Sequence, residues 1–292
     1  MNRRGFVLAQ GALIAGLSYR SASARRKDQV MSKQVFVLVH GAWHGGWCWR
    51  WLAPLLRKQG HDVFAPTLTG LGERVHLLDP DITLTTHIDD IVGLLQYEDL
   101  ANVVLVGHSY AGMVVAGVLE RTPERVSHAV YLDAFLPNDG ESIRDLGTPD
   151  LDDIAATYGD GWRMPPSGDA ASFGVTDPDI ATWIDARLGD QPYGTFTEPV
   201  RISRSDNDGI ARSFILCTEF LFPDHAERAR ERGFEVRELM VGHDAMVTMP
   251  NELVTILLDL AGTQPAEIVS PGTSSRPTWG NLPQKTNGAS HG

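Results

Sequence analysis

Cysteine is scarce in this chain, with only Cys48 and Cys217 among 292 residues. Two thiols cannot build a disulfide framework, and neither sits in a CxxC or Cys/His spacing, so a cysteine-based metal or redox motif is excluded. Basic residues are also short, 25 Lys+Arg against 37 Asp+Glu, for a net charge of −12. A binder that tracks nucleic-acid phosphates needs a basic face, so that class is excluded. The same deficit disfavours an anionic membrane surface. No apolar run reaches the ~20 residues of a bilayer-spanning helix, so integral membrane association is not expected. What remains is ordinary. Hydrophobic residues make up 42 % and charged residues 21 %, the balance of a globular domain that buries a core without staples. Neutral or cationic small molecules stay open as partners.

The two ends differ from the middle. Asn2-Arg3-Arg4-Gly5-Phe6 places twin arginines before an apolar run from Phe6 to Leu17, and Ser21-Ala22-Ser23-Ala24 follows as an A-x-A-like cleavage site. That is the layout of a twin-arginine export leader over residues 1–30. It implies a periplasmic or exported protein if it is used, and a cytoplasmic one if translation starts at Met31. Those thirty residues hold six of the basic side chains and one of the acidic ones. The remainder carries 19 Lys+Arg against 36 Asp+Glu, a charge of −17. Residues 262–292 are dominated by Pro, Gly, Ser and Thr, without apolar periodicity, and read as a disordered tail.

Residues 31–261 alternate strand and helix. Val35–Val39, Val103–Val106, Ala129–Leu132 and Ser213–Cys217 are short apolar runs suited to buried parallel strands, and Glu235–Met240 reads as the last strand. Helical spacing lies between them at Trp47–Lys58, Thr86–Leu95, Ala111–Arg121, Asp224–Arg232 and Asn251–Leu260. Repeated βα units predict an α/β fold, a mostly parallel sheet flanked by helices with its site at the carboxyl ends of the strands. From Pro137 to about Arg212 the alternation stops. Pro, Gly, Asp and scattered aromatics there predict an inserted lid with short helices such as Ile180–Leu188.

Gly107-His108-Ser109-Tyr110-Ala111-Gly112 follows a predicted strand and opens a predicted helix. A serine on such a tight turn is presented as a nucleophile, and small neighbours let the backbone pass closely. The strict G-x-S-x-G position holds Ala111, with glycine one place late. Serine needs a base. His243, in Val241-Gly242-His243-Asp244 after the last strand, lies at the same carboxyl edge. The other histidines have plainer readings: His61 precedes a strand, His87 starts a helix, His128 and His225 are exposed, and His108 points away. An oxyanion hole needs backbone N–H donors. Ala42, in His40-Gly41-Ala42-Trp43 after the first strand, and Tyr110, after the serine, are the two candidates. Trp43, Phe135, Trp162 and Trp183 are the candidate substrate-contacting aromatics. No metal or organic cofactor is implied.

The segments His40-Gly41-Ala42-Trp43-His44-Gly45-Gly46-Trp47, Gly107 to Met113 and Gly242-His243-Asp244-Ala245-Met246 resemble those of the α/β-hydrolase superfamily. Within it the chain is similar to bacterial esterases that include pyrethroid hydrolases and, more distantly, to plant methylesterases and hydroxynitrile lyases. The likeness runs from about Val35 to Ala261. It implies a serine esterase of the α/β-hydrolase fold with an inserted cap. Hydroxynitrile lyases of this kind place threonine in the oxyanion segment and lysine after the histidine. Gly41-Ala42 and Asp244 stand here instead, which argues against cyanohydrin cleavage. Related dehalogenases and epoxide hydrolases use an aspartate nucleophile, where this chain has Ser109.

The resemblance also leaves the acid to be found. Plant methylesterases carry a Cys-Thr-Glu-Asp run whose Asp orients the histidine, whereas this chain reads Cys217-Thr218-Glu219-Phe220. Asp133, at the end of the strand after the serine helix, occupies the place where the similar haloalkane dehalogenases keep their acid. It is the first choice, Glu219 the runner-up, and Asp139 and Asp224 remain open. The resulting expectation is a serine hydrolase of an ester or lactone of a bulky, largely apolar small molecule. A macrolide or other macrolactone is one candidate. An acyltransferase, a C–C hydrolase or a non-catalytic ligand receptor are the alternatives.

Overall fold

The four apolar runs and the segment after them are strands of one sheet. In a computed structural model of the chain, the described residues are 33–262 without 148, 149, 207 and 221. The expected leader and, but for Gly262, the expected tail lie outside them. The main sheet contains β1 (Val35–Val39), β2 (Asp62–Phe64), β3 (Val103–His108), β4 (Val126–Leu132), β7 (Ala211–Cys217) and β8 (Glu235–Leu239). Its order is β2-β1-β3-β4-β7-β8, and every pairing is parallel. The chain steps from β1 outward to β2, then returns to place β3 on the other side of β1. That reversal opens a crevice at the carboxyl ends of β1 and β3, where sheets of this kind bind ligands.

Alternation along each strand feeds two cores. Val37, Val39, Leu105, Ala129, Tyr131 and Phe214 face one side; Phe36, Leu38, Val104, Val106, Val130 and Ile215 face the other. The first side is covered by α2 (Leu84–Tyr97), α3 (Ala111–Arg121) and α7 (Pro223–Glu231). The second is covered by α1 (Leu52–Lys58) and α9 (Pro250–Leu260), with the single turn α8 (Ala245–Thr248) after His243. Helix α3 has the bounds read from the sequence. The run expected as one helix over Trp47–Lys58 is instead a 3-10 turn, Gly46–Trp49, followed by α1. Pro54 explains the break, because it has no N–H to extend a helix back toward Arg50.

Between β4 and β7 the chain makes the expected excursion. It contains α4 (Leu151–Tyr158), α5 (Pro178–Asp185), α6 (Gly194–Thr197) and two short antiparallel strands, β5 (Arg163–Met164) and β6 (Gln191–Pro192), outside the main sheet. Helix α5 begins and ends earlier than Ile180–Leu188. Its start is set by Asp177, whose Oδ1 accepts the N–H groups of Asp179 and Ile180 at 2.9 and 3.1 Å, with Pro178 at the first helical position.

Strand-to-helix turns at the carboxyl edge leave no room for extra atoms. A Cβ on Gly112 would lie 1.9 Å from the carbonyl oxygen of Phe135, which explains glycine one place after the strict motif position. Gly93, within α2, has open space around its Cβ position. Gly112→Ala is therefore expected to lower stability by about 3 kcal/mol through overpacking. Gly93→Ala is expected to raise it by about 0.5–1 kcal/mol through helix propensity. Urea melts of the two variants check both signs.

Candidate active site

Strand ends place every expected polar residue along one edge: β1 leads to His40–Trp43, β3 to Ser109, β4 to Asp133 and β8 to His243. Ser109 and Asp133 hold left-handed backbone conformations, φ 53° and 41°, and Trp43 does the same at 63°. Such conformations cost about 1–3 kcal/mol each and persist only where their surroundings hold them. For Ser109 those surroundings are three backbone bonds. Its N–H donates to Leu132 O at 3.1 Å, and its carbonyl accepts from Gly112 and Phe135, both at 3.1 Å.

Asp133 is fully buried. Its Oδ2 accepts from His243 Nδ1 at 2.6 Å and its Oδ1 from the Cys217 amide at 3.1 Å. With the Nδ1 proton committed to the carboxylate, a neutral His243 keeps Nε2 as its free basic nitrogen. Ser109 and His243 line the same cavity, about 670 Å³ in volume. Glu219 is exposed, Asp139 accepts the Ile202 amide at 2.8 Å, and Asp224 stands at the cavity's far rim. Among the acids weighed, only Asp133 is placed on the imidazole. Phe220, where methylesterases resembling this chain carry the acid, stacks on the His243 ring at 4.2 Å and 22°. Phe222 lies parallel behind at 5.5 Å.

Among the described residues, neither the Ala42 nor the Tyr110 amide donates to a protein acceptor. Both residues line a second cavity of about 250 Å³, smaller and more enclosed than the first, that also reaches Ser109. Gly41 lets this loop pass close to the serine turn, since a Cβ there would sit 2.8 Å from His108 Nδ1 and 3.0 Å from Ser109 Cβ. Trp43 walls both cavities. Its N–H donates to Gln191 Oε1 at 3.2 Å and its indole N–H to Met164 O at 3.0 Å, which ties the loop to β5 and β6. Phe135 also walls both cavities. Trp162 and Trp183 do not reach either. Trp162 lies half-buried beside the Arg163 guanidinium. Trp183 is carried by α5 to the opposite core, 4.7 Å from Trp51 and 5.3 Å from Trp47, with Arg187 above its ring. The insert is not confined to the crevice, so its aromatics divide between the two faces of the sheet.

Several histidines have tasks that their spacing did not reveal. His40 bridges the loops after β1 and β2, accepting Leu68 N–H at Nε2, 3.0 Å, and burial lowers its pKa to about 3. His87 lies inside α2 rather than at its start, buried between the Tyr110 hydroxyl and Thr69 O. His108 is buried and donates from Nε2 to the His243 carbonyl at 3.1 Å; burial and the neighbouring His243 push its pKa well down. His128 is buried against the Ser213 hydroxyl, and His225 is half-buried on the cavity wall, so neither is in the exposed setting expected. Position at or just beyond a strand end was the available signal for His108 and His44.

His44 and Asp244 form a buried pair behind His243. Both His44 nitrogens face acceptors, Nδ1 to Ala42 O at 2.7 Å and Nε2 to Asp244 Oδ2 at 3.3 Å, the pattern of an imidazolium. Burial alone would lower the His44 pKa, but the Asp244 charge and hydrogen bond outweigh it and raise it. Burial would raise Asp244, yet His44 and then His108 bring it down to about 2. The two cysteines take no part. Both are buried thiols whose pKa values burial pushes well up, which suppresses the nucleophilic thiolate.

Fold and site together define a hydrolase built on a parallel sheet with a serine at its switch point. Residues 36–256 match the Alpha/beta hydrolase family, and the chain belongs to that family. Over 240 residues it is 39 % identical to a carbendazim hydrolyzing esterase of Nocardioides sp. (strain SG-4G), spanning 77 % of this chain and 98 % of that protein. Methylesterase 10 of Arabidopsis thaliana is 28 % identical over 273 residues, 84 % of this chain and 98 % of the relative. An extracellular α/β-hydrolase from a Paenibacillus species shares the fold with a TM-score of 0.69 at 23 % identity, covering 78 % of this chain and 98 % of its own. A pyrethroid hydrolase shares it at 0.65 and 20 %, covering 79 % and 98 %. Within the family the chain is a carboxylic ester hydrolase.

Removing His44 while leaving Asp244 buried is expected to cost about 3–5 kcal/mol. The pH dependence has a definite sign. The raised His44 contributes fully below its ordinary value of 6.5 and fades as pH rises through its folded value. The depressed Asp244 contributes fully above 3.8 and fades as pH falls toward 2. The stability gap between the wild type and His44→Phe should therefore peak between about pH 4 and 6.5. Denaturant melts across pH check it, and a gap independent of pH would remove the ion pair from the account.

Proposed function

We propose that this esterase acts through an acyl-enzyme on Ser109, with His243 as base, Asp133 as the acid that orients it, and the Ala42 and Tyr110 amides as oxyanion donors. The observation that carries the reading is the 2.6 Å bond from His243 to a buried carboxylate, beside a cavity shared with a serine on a strained turn. Ser109 Oγ attacks the ester carbonyl as its proton passes to His243 Nε2. The oxygen that gains negative charge lies between two amides that have no protein acceptor, a placement where each donor supports roughly 3 kcal/mol of barrier lowering. His243 then protonates the leaving oxygen as its bond to carbon breaks. Water, activated by the same imidazole, adds to the acyl carbon, releases the acid and restores the serine.

Aromatic walls at Trp43, Phe135, Phe173, Phe220 and Phe222 favour a bulky, largely apolar small-molecule ester, linear or cyclic. The relatives named as carbendazim hydrolyzing esterase and methylesterase are consistent with ester-type substrates. The segment between β4 and β7 serves as a cap over the crevice, held to the oxyanion loop through Trp43. Ser109→Ala is expected to abolish turnover and labelling by a fluorophosphonate probe. Asp133→Asn should lower kcat by about 10⁴-fold, because the wrong imidazole tautomer is favoured, while Glu219→Gln stays within twofold of wild type. Steady-state kinetics on a chromogenic ester measure all three, and the opposite ranking of the two acid variants would move the acid to the end of β7.

A further inference from the structure

Two cavities of different character meet at the serine. Trp43, Ser109, Phe135 and Ser167 line both. The enclosed one is lined by Ala42 and Tyr110, and its remaining wall is apolar, with Ile143, Leu151, Ile154, Met164 and Phe196. The open one is lined by His243, and part of its wall is polar, with Glu141, Asp145, Asp224, His225 and Arg228. The tetrahedral carbon formed on Ser109 has three other substituents: the oxyanion, the leaving oxygen and the acyl carbon. The oxyanion belongs between the two amides, and the leaving oxygen must lie within reach of His243, which protonates it. Only the acyl carbon is left for the enclosed cavity.

The polar part of the open cavity's wall adds chemistry. Glu141 is neutralised by Arg228 at 2.7 Å, and Asp145 is capped by the Ser142 amide at 2.8 Å. Asp145 and Asp224 therefore leave this rim with an excess of negative charge. His225 stands between Phe135 and Phe222, with ring centroids at 5.2 and 5.4 Å. Its Nδ1 accepts the Leu136 N–H at 3.3 Å, so the ring proton sits on Nε2. Nε2 has no acceptor among the described residues and is not sealed in protein. Burial lowers the His225 pKa to about 4, which keeps the ring neutral and Nε2–H a plain donor at neutral pH.

Building on the serine mechanism above, we propose that the enclosed cavity takes the acyl group, the open cavity takes the leaving group, and His225 Nε2–H binds a hydrogen-bond acceptor on that leaving group. The substrates of this site are then esters of a compact, apolar acid with a larger alcohol that is neutral or cationic and carries an ether, carbonyl or hydroxyl oxygen. His225 is a positioning residue, since it touches the leaving group away from the reacting atoms.

The experiment uses isomeric ester pairs of one formula: a large alcohol on acetate or isobutyrate, and methanol on the correspondingly large acid. The first member should show kcat/KM at least tenfold higher. Parity or the reverse order overturns the assignment. Ile154→Trp, which fills the enclosed cavity, should cut kcat/KM for isobutyrates tenfold or more and leave acetates within threefold. Equal loss on both acyl groups counts against the assignment. For His225, ether-bearing alcohols are compared with their alkyl isosteres. His225→Phe should raise KM about tenfold for the ether esters alone, with kcat held, and His225→Gln, which keeps a donor, should restore most of it. An equal rise for both alcohols removes the hydrogen bond. Fluorophosphonate labelling of Ser109 reads the serine mechanism separately, so a labelled enzyme without the expected preference overturns this inference alone, and an unlabelled folded enzyme overturns the mechanism.

Discussion

One buried carboxylate holds the carboxyl edge of the sheet together. Asp133 ends β4, accepts the Cys217 amide from the end of β7, and accepts His243 Nδ1 from the turn after β8. Neighbouring strands lie about 4.8 Å apart, so the side chain spans from its own strand to a loop two strands away. That span is possible because the left-handed turn at Asp133 swings the side chain sideways along the sheet edge, with its N–H anchored to Ile215 O at 2.7 Å. The imidazole cannot drift from this carboxylate without leaving a fully buried charge unpaired, a change that costs several kcal/mol. Everything proposed for Ser109 depends on that constraint.

With Asp133 meeting the imidazole from the end of β4, the position after β7 is open to a different kind of residue. Phe220 occupies it and lies flat against His243, and Phe222 and Phe173 extend the same wall. A carboxylate there would be solvated and would draw water to the imidazole. A phenyl ring excludes water from that face and leaves Nε2 to the cavity. The acid's requirement is to stand beside the ring, and that requirement fixes no strand.

Periodicity made most of the sheet legible. Buried strands flanked on both faces read as continuous apolar runs, and helical spacing gave α3 its bounds. That Ser109, His243 and Asp133 lie along one edge was legible because strand ends in a parallel sheet converge, so position along the chain carries information about proximity. The insert was not legible in the same way. Its aromatics were read as cavity walls, but α5 crosses to the second core and buries Trp183 against Trp47 and Trp51. Nothing in local spacing separates a lid aromatic from a core aromatic. Local spacing also misread the histidines, because a buried neutral histidine is defined by partners that come from distant strands, such as Ser213 for His128 or Leu136 for His225.

The second carboxylate next to the site, Asp244, adjoins His243 in sequence but pairs with His44. That division matters electrostatically. A buried carboxylate persists only where donors or a countercharge meet it. His44 Nε2 donates to Asp244 and His243 Nδ1 to Asp133, so each buried carboxylate has its own imidazole donor. His44 donates from Nε2 to Asp244 and from Nδ1 to the Ala42 carbonyl, and the second bond fixes the peptide plane beyond the proposed oxyanion donor. Compensation of Asp244 and geometry at the oxyanion loop thus rest on one buried histidine, placed there by the turn after β1.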